Sequence, residues 1–512
     1  MSLQIDSVSR RALLKATAAL KVGAVPATAA ATAPAALAAA QGAAGAITIA
    51  VSGDIDTTDP HASQLILYSN TIRFNVFSSL VRYGPTLEYL PDLAESWDTP
   101  DETTYLFHLR QGATYHNGQE VEASHVESSY RRIADKKAVW ASRVANIASY
   151  EVVDKYTVKL TLTAPRADFI DGLTQLSIIP PEAEAEIETA PIGSGPFRFV
   201  EWVPNDHITL ERNPDHWESG VPTLETVTYR IIPEAQVAVT NLQAGAVDVV
   251  ADLPVTTAVT FQDSDEVTPY IIATSGIQMF ELMGNNSEVI RTNAKLRQAM
   301  AHCLDKDAVQ QIVFGGEGRP KWSWIPYDSW AYKELEGYPY DPEQAKALLA
   351  EAGIDEGFEF TVITPASYPA GDQTATIWQA GLAEAGITLN IQTDELAVWA
   401  SQYRPRDFEV SWNAWPGFAD PNYFVAFGLK TYLTNGQWVN DEALRIADEA
   451  NQTLDQEERK ALYDQLQDIF IAEMPVIIVS EVPQASLLKP SVTGWAINPL
   501  GHISLREVAV TS

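Results

Sequence analysis

The sequence predicts an α/β protein in which one α/β lobe is inserted into a larger mixed lobe. Three observations carry that expectation. Short β-like runs crowd the chain from about residue 46, longer helices alternate with strands from about residue 290, and the last thirty residues return to short β-like segments. A length of 512 residues allows about three compact units. With 46% apolar and 20% charged residues, the chain has the balance of one that buries large cores.

Taken in order, Ile47-Thr48-Ile49-Ala50-Val51 reads as a buried strand that ends at Ser52-Gly53. The segments 105–110 and 156–162 alternate with period two, as half-buried strands do. A similar run over 226–232 is bounded by Pro222 and Pro233. Further on, Asp341-Pro342 supplies an N-cap and a first-turn proline. Ala345, Leu348, Leu349 and Ala352 make an apolar stripe, and Gly353 closes the helix. The pattern then predicts a strand over 358–364, a helix over 373–385 and a strand over 387–393. A helix over 395–402 and a strand over 408–412 follow. Two charged helices, near 441–452 and 455–472, lead into Val476-Ile477-Ile478-Val479. Strands alternating with helices at this spacing argue for βαβ units and an open, largely parallel sheet.

Sixty-seven carboxylates against 34 basic side chains give a formal charge of −33. Such a polyanion is repelled by phosphate backbones and anionic lipid, which argues against a nucleic-acid partner. The single cysteine, Cys303, excludes an intramolecular disulfide and a cysteine-based zinc or iron–sulfur site. It falls in a helical stripe with Leu296, Met300 and Leu304, the pattern of a buried thiol. Near the start, Ser9-Arg10-Arg11-Ala12-Leu13-Leu14-Lys15 precedes a weakly apolar Ala-rich stretch, which reads as a twin-arginine (Tat-type) export signal with its linker over 1–45. Small residues at Ala36-Leu37-Ala38 or Ala38-Ala39-Ala40 suit cleavage, and an Ala-rich tail is the plainer alternative. No later window offers about 18 continuous apolar residues, so the mature chain is expected to be soluble in the periplasm.

Reactive motifs are missing. The chain has no Gly-x-Ser-x-Gly elbow, no phosphate-binding Gly-x4-Gly-Lys-Ser/Thr and no His-Glu-x-x-His. Its eight histidines are scattered, so no catalytic residue, metal or cofactor is expected. A carboxylate pair for glycoside hydrolysis is neither singled out nor denied. Aromatic side chains are more informative. Trp412 and Trp415 fall at the carboxyl end of the strand predicted over 408–412, beside Pro416-Gly417-Phe418-Ala419-Asp420-Pro421. In open α/β sheets that edge is where ligands sit. Flat rings there would stack on an organic solute while backbone and Asp420 supply polar contacts. The plainer reading of any one tryptophan is core.

An ordered set of phrases carries a family resemblance. Asp59-Pro60-His61 is followed by Pro91-Asp92-Leu93-Ala94-Glu95-Ser96-Trp97, then by Phe107-x-Leu109-Arg110-Gln111-Gly112-Ala113-Thr114-Tyr115-His116-Asn117-Gly118. Ile192-Gly193-Ser194-Gly195-Pro196-Phe197, Arg212-Asn213-Pro214 and Leu296-Arg297-Gln298-Ala299 come later. Together they resemble the family 5 extracellular solute-binding proteins of ATP-driven importers, the dipeptide-, oligopeptide- and nickel-binding group, over essentially the whole mature chain. The resemblance implies a two-lobed periplasmic binding protein (type II, class C-like), with an enlarged first lobe and a hinge of two chain crossings. Lobe I is then 46–276, lobe II 277–480, and 481–512 returns to lobe I. It implies a non-enzymatic role: a monomer captures a small organic solute, peptide-like or opine-like, by closure and delivers it to the transmembrane subunits of an ABC permease. An oligosaccharide, metal chelate or haem on the same scaffold, a secreted glycoside hydrolase, and a sensory binding protein are the alternatives.

The same resemblance places solute contacts at Asp54, Ile55 and Asp56, and at Trp399, Arg406, Trp412, Ala414, Trp415, Phe418 and Asp420. Arg406 is assigned to an anionic group of the solute and the three aspartates to hydrogen-bond donors. Relatives that hold a peptide's free amine carry an aspartate three residues after the tryptophan matching Trp415, whereas this chain has Phe418. Asp420 either substitutes from two residues on or caps the loop beside Pro421.

Overall fold

The computed structural model describes residues 45–511 except Gly436. The expected export segment lies, but for its last residue, outside the described residues.

An eleven-stranded mixed sheet organises the molecule. In chain order its long path consists of β1 (Ala46–Val51), β2 (Phe197–Val203), β3 (His207–Arg212), β4 (Thr226–Ile231), β5 (Val249–Leu253), β6 (Thr268–Glu281), β7 (Glu359–Pro365), β8 (Thr388–Asp394), β9 (Val410–Trp415) and β10 (Val476–Leu488). Across the sheet they run β8-β7-β9-β6-β10-β5-β1-β4-β3-β2, and the short strand Arg319–Pro320 pairs with β10. A separate four-stranded antiparallel sheet joins Ala94–Asp101, Thr104–Leu109, Thr157–Leu162 and Ile147–Asp154.

Local signals place these elements where the sequence predicts them. The helix Pro342–Ala352 starts on Asp341, whose side chain accepts from the Gln344 N–H, and ends on left-handed Gly353 at φ 68°, a conformation free of Cβ strain only for glycine. The charged helices form at Asp441–Gln452 and Gln456–Glu473. Two expectations are corrected. The sheet is mixed: β7 is parallel to β8 and β9, while β6 is antiparallel to β9 and β10. The chain enters this part of the molecule along β6 and leaves along β10, so the two connecting strands lie side by side in opposite directions. The strand predicted over 408–412 also runs on to Trp415, because each residue from Ser411 to Trp415 finds a partner on β6.

Apolar side chains gather in separate cores. One packs Ile277, Met279, Phe280, Trp324, Trp378 and Val476–Val479. Another holds Ile47, Ile49, Phe197, Leu210 and Val227 together with Leu505. A third lies on the small sheet, with Phe107, Tyr130, Val158 and Phe169. β6 and β10 contribute to more than one of them. Their mutual register shifts between Ala273 and Ile277, between the residues that face different cores. At the shift Gly276 lies so close to its surroundings that a Cβ would stand 3.0 Å from Thr274 Oγ1 and 3.3 Å from the Trp415 carbonyl.

Two of the phrases singled out in the sequence make scaffold contacts. Arg132 grips Asp59 through both oxygens, at 2.6 and 3.1 Å. The Gly195 N–H donates to the Val76 carbonyl at 3.0 Å, and a Cβ on Gly193 would stand 1.9 Å from that oxygen. Only glycine permits this approach. The contact fixes the segment that carries Arg73.

Candidate solute-binding site

A cavity of about 430 Å³ opens between Trp140 of the small-sheet core, with its neighbouring segments, and Ala414, Trp415, Phe418 and Tyr423 on the core that holds Ile277 and Val476–Val479. One wall comes from the segments before residue 176 and the chain's end: Arg73, Tyr83, Trp140, Arg143, Asp171 and His502. Opposite stand Trp399, Tyr403, Asn413, Trp415, Phe418 and Tyr423. The volume falls in the range of sites for small organic ligands, and the lining of rings with a few polar groups is their usual chemistry.

Arg73 ends a π-helical turn, Ser69–Arg73, the widened geometry often found at functional positions. Its Nη1 donates to Ser69 Oγ at 2.9 Å and Gln175 Oε1 at 3.2 Å, and Nη2 donates to the Ser63 carbonyl. Its guanidinium also lies over the Trp140 ring, 4.6 Å from the centroid. No carboxylate lies within 4.0 Å of it among the described residues, and its Nε has no hydrogen-bond partner. Burial pulls its pKa down to about 10, so the group is a buried cation at neutral pH.

Arg143 is different. It faces Asp168 at 3.3 Å and Asp171 at 3.7 Å, and lies over the Tyr423 ring at 4.9 Å. Burial raises the pKa of Asp171 to about 7 against the pull of Arg143, with the Asp420 and Asp168 charges adding to the rise. The Asp171 Oδ1 accepts from the Tyr83 and Tyr89 hydroxyls at 2.8 and 3.4 Å. Burial also holds His502 neutral, with a pKa of about 3.

The second wall rests on a buried polar cluster. Glu281, fully buried, receives the Tyr403 hydroxyl at 2.7 Å and Asn413 Nδ2 at 3.1 Å on Oε1, with Arg406 Nη1 and the Tyr432 hydroxyl on Oε2. Tyr403 stacks on Trp399 at 4.5 Å and 11°, and Trp399 Nε1 donates to Ser411 Oγ at 3.2 Å. Tyr403, Asn413 and Trp399 are thus oriented from behind before any solute arrives.

Of the residues expected at the site, Trp399, Ala414, Trp415 and Phe418 line the cavity together. The others do not line it. Asp54 accepts from the Ile55 N–H, from Trp202 Nε1 and from the Asn205 N–H at 2.7–2.9 Å. Ile55 is in a core, and exposed Asp56 acts on Arg73 only at longer range. Trp412 is buried on the far face of β9, with Nε1 donating to Gln278 Oε1 at 3.2 Å. Arg406 is held by Glu281, and although burial opposes its charge, that carboxylate keeps its pKa above the usual value. Asp420 is clamped by Arg459 at 2.6 and 3.0 Å and accepts from the Asn422 N–H at 2.9 Å, which makes it a loop cap in an ion pair. Sequence reasoning missed Arg73, Trp140, Arg143, Asp171 and His502. They come from four separated segments without local motifs, so only folding brings them together. Among the described residues no cluster of His, Cys, Asp or Glu is arranged to hold a metal ion, and no helix is long and apolar enough to cross a membrane.

An aromatic cavity between α/β cores, bridged by two long adjacent strands, is the arrangement of an extracytoplasmic solute-binding protein of the class that serves ABC importers. The chain belongs to the bacterial extracellular solute-binding proteins, family 5, whose model matches residues 88–435. It is 25% identical to the glutathione-binding protein GsiB of Pectobacterium atrosepticum, over 90% of this chain and 94% of that one. It is 28% identical to heme-binding protein A of Haemophilus influenzae, over 89% of each. Among solved structures, the binding protein AgaA from A. tumefaciens R10 in complex with agropinic acid superposes with a TM-score of 0.76 at 25% identity. That match covers 91% of this chain and 99% of AgaA.

Proposed function

We propose that this protein captures an acidic, partly planar organic solute in the periplasm and hands it, chemically unaltered, to an ABC permease. The observation that carries the solute class is Arg73, a buried guanidinium facing an aromatic cavity with no carboxylate within 4.0 Å among the described residues. A charge held so far from water calls for a counterion, and a carboxylate on the solute supplies one. The rings of Trp140, Trp399 and Trp415 offer flat faces to its body. An ammonium is served less well. Asp171 is the carboxylate in the wall, already shared with Arg143 and two tyrosine hydroxyls. Glutathione, heme and agropinic acid, named for the relatives above, all carry carboxyl groups, in keeping with this reading.

Binding proceeds by closure of two lobes, 46–276 with 481–512 against 277–480, about β6 and β10. The solute touches both walls and so favours the closed form by its differential affinity. The test is a calorimetric panel of glutathione, short peptides, opines and oligosaccharides at pH 6 and pH 8, with the bound compound recovered and analysed by mass spectrometry. Acidic compounds are expected to bind stoichiometrically and emerge intact. They should bind more tightly at pH 6, where Asp171, with its pKa near 7, is protonated and the wall is more positive. Preference for neutral sugars, or turnover of the compound, would overturn the reading.

We also propose export by the twin-arginine route, supported by Arg10-Arg11 ahead of the Ala-rich stretch. Changing both to lysine is expected to leave precursor in the cytoplasm, and normal export of that variant would refute it.

A further inference from the structure

A second cavity of about 280 Å³ adjoins the first, and both are lined by Arg73, Tyr83 and His502. Its remaining walls come from 74–92, 174–221 and 494–507, segments on one side of the main cavity, so its shape does not depend on the aromatic residues opposite. Three guanidiniums line it, Arg73, Arg82 and Arg506. Arg506 is matched within the wall, with Nη1 at 3.1 Å from Glu218 and Nη2 at 3.8 Å from Asp92. Glu507 lies exposed at the rim. Arg73 and Arg82 have no carboxylate within 4.0 Å among the described residues, and the Nε of each is buried without a hydrogen-bond partner. Asp92 and Glu88 act on Arg82 only at longer range. Two cations without an ion pair among the described residues, each with a buried Nε–H that no protein acceptor satisfies, line one small cavity and call for an anion. At the junction, the His502 ring stands 4.6 Å from Phe74 and 6.2 Å from Tyr83.

We propose that the second cavity is an oxyanion compartment of the solute site, taking a carboxylate or phosphate group of the same solute whose body fills the aromatic cavity. The inference rests on the importer reading and narrows it to solutes with an acidic arm reaching past His502. Arg82 is its discriminating residue, since Arg73 serves both cavities and Arg82 only the second.

Malonate and inorganic phosphate, titrated separately into the full mature protein by calorimetry, are the probes. Saturable binding is expected in the wild type and in Trp415→Ala. Binding should be at least tenfold weaker in Arg82→Gln and largely kept in Arg82→Lys, which guards against a folding defect in the first variant. Tighter binding of malonate or of phosphate identifies which oxyanion the compartment takes. Equal affinity in wild type and Arg82→Gln, no saturable binding of either probe, or binding lost in Trp415→Ala and kept in Arg82→Gln would each overturn the compartment. The importer reading fails separately, if no panel compound binds or if Trp415→Ala leaves the affinity for a panel compound unchanged.

Discussion

Arg406 and Arg73 show how an arginine's role is decided by what stands next to it. Family resemblance assigns Arg406 to the solute, yet its guanidinium faces Glu281 and lies between the Tyr403 and Tyr432 rings, 4.8 and 4.7 Å from their centroids. Removing one partner of a buried pair leaves the other charge uncompensated, at a cost of about 3–5 kcal/mol. Arg406→Met is therefore expected to lower the unfolding free energy measured in urea by an amount of that order, and the double variant Glu281→Gln/Arg406→Met to recover most of it. If Arg406→Met instead kept the wild-type stability while losing affinity for acidic compounds, Arg406 would be the solute's own partner. Arg73 has the opposite surroundings: amide, hydroxyl and carbonyl oxygens hold its geometry and leave its charge unanswered.

Strand β9 illustrates what an element adds. Alternation sends successive side chains to opposite faces, so Trp412 and Trp415, three residues apart, part company. Trp412 is almost fully buried against Gly371, where a Cβ would stand 3.0 Å from the indole. Trp415 lines the cavity, backed by Phe424 at 5.4 Å and by the π-helical turn Val425–Leu429, whose Gly428 has room for little more than a hydrogen beside the ring. Trp412→Ala is expected to destabilise the fold by about 3–5 kcal/mol. Trp415→Ala should shift the unfolding midpoint far less and weaken solute affinity at least tenfold, about 1.4 kcal/mol. Denaturant melts with fluorescence titrations separate the two, and equal loss of stability in both would contradict this division. A second π-helical turn carries Arg73, so widened turns support both the ring and the cation.

For the molecule as a whole, the closure we propose would move the separate cores joined through β6 and β10 relative to one another. The bulge at Ala273–Ile277 interrupts the ladder where the packing changes from one core to another, and it is there that we propose the hinge. Small-angle scattering is expected to show a smaller radius of gyration with a saturating panel compound than without. An unchanged envelope would remove closure from the mechanism.

Much of this was legible in the chain because it is decided locally. Asp341-Pro342 with Gly353, the period-two runs and the turn signals fixed most helices and strands, and the ordered glycine, proline and aspartate phrases pointed to the family. Trp415 stands out because a polar loop follows its strand, while the family resemblance points to Trp399 and Phe418. Tertiary structure alone decided that Arg73, Arg143, Asp171 and His502 face those rings, that Glu281 holds Arg406, and that Arg459 holds Asp420. The reason is physical: strand and helix signals act over a few residues, whereas a charge's role depends on its neighbours in space, which lie 39 residues away for Asp420 and Arg459 and 125 for Glu281 and Arg406.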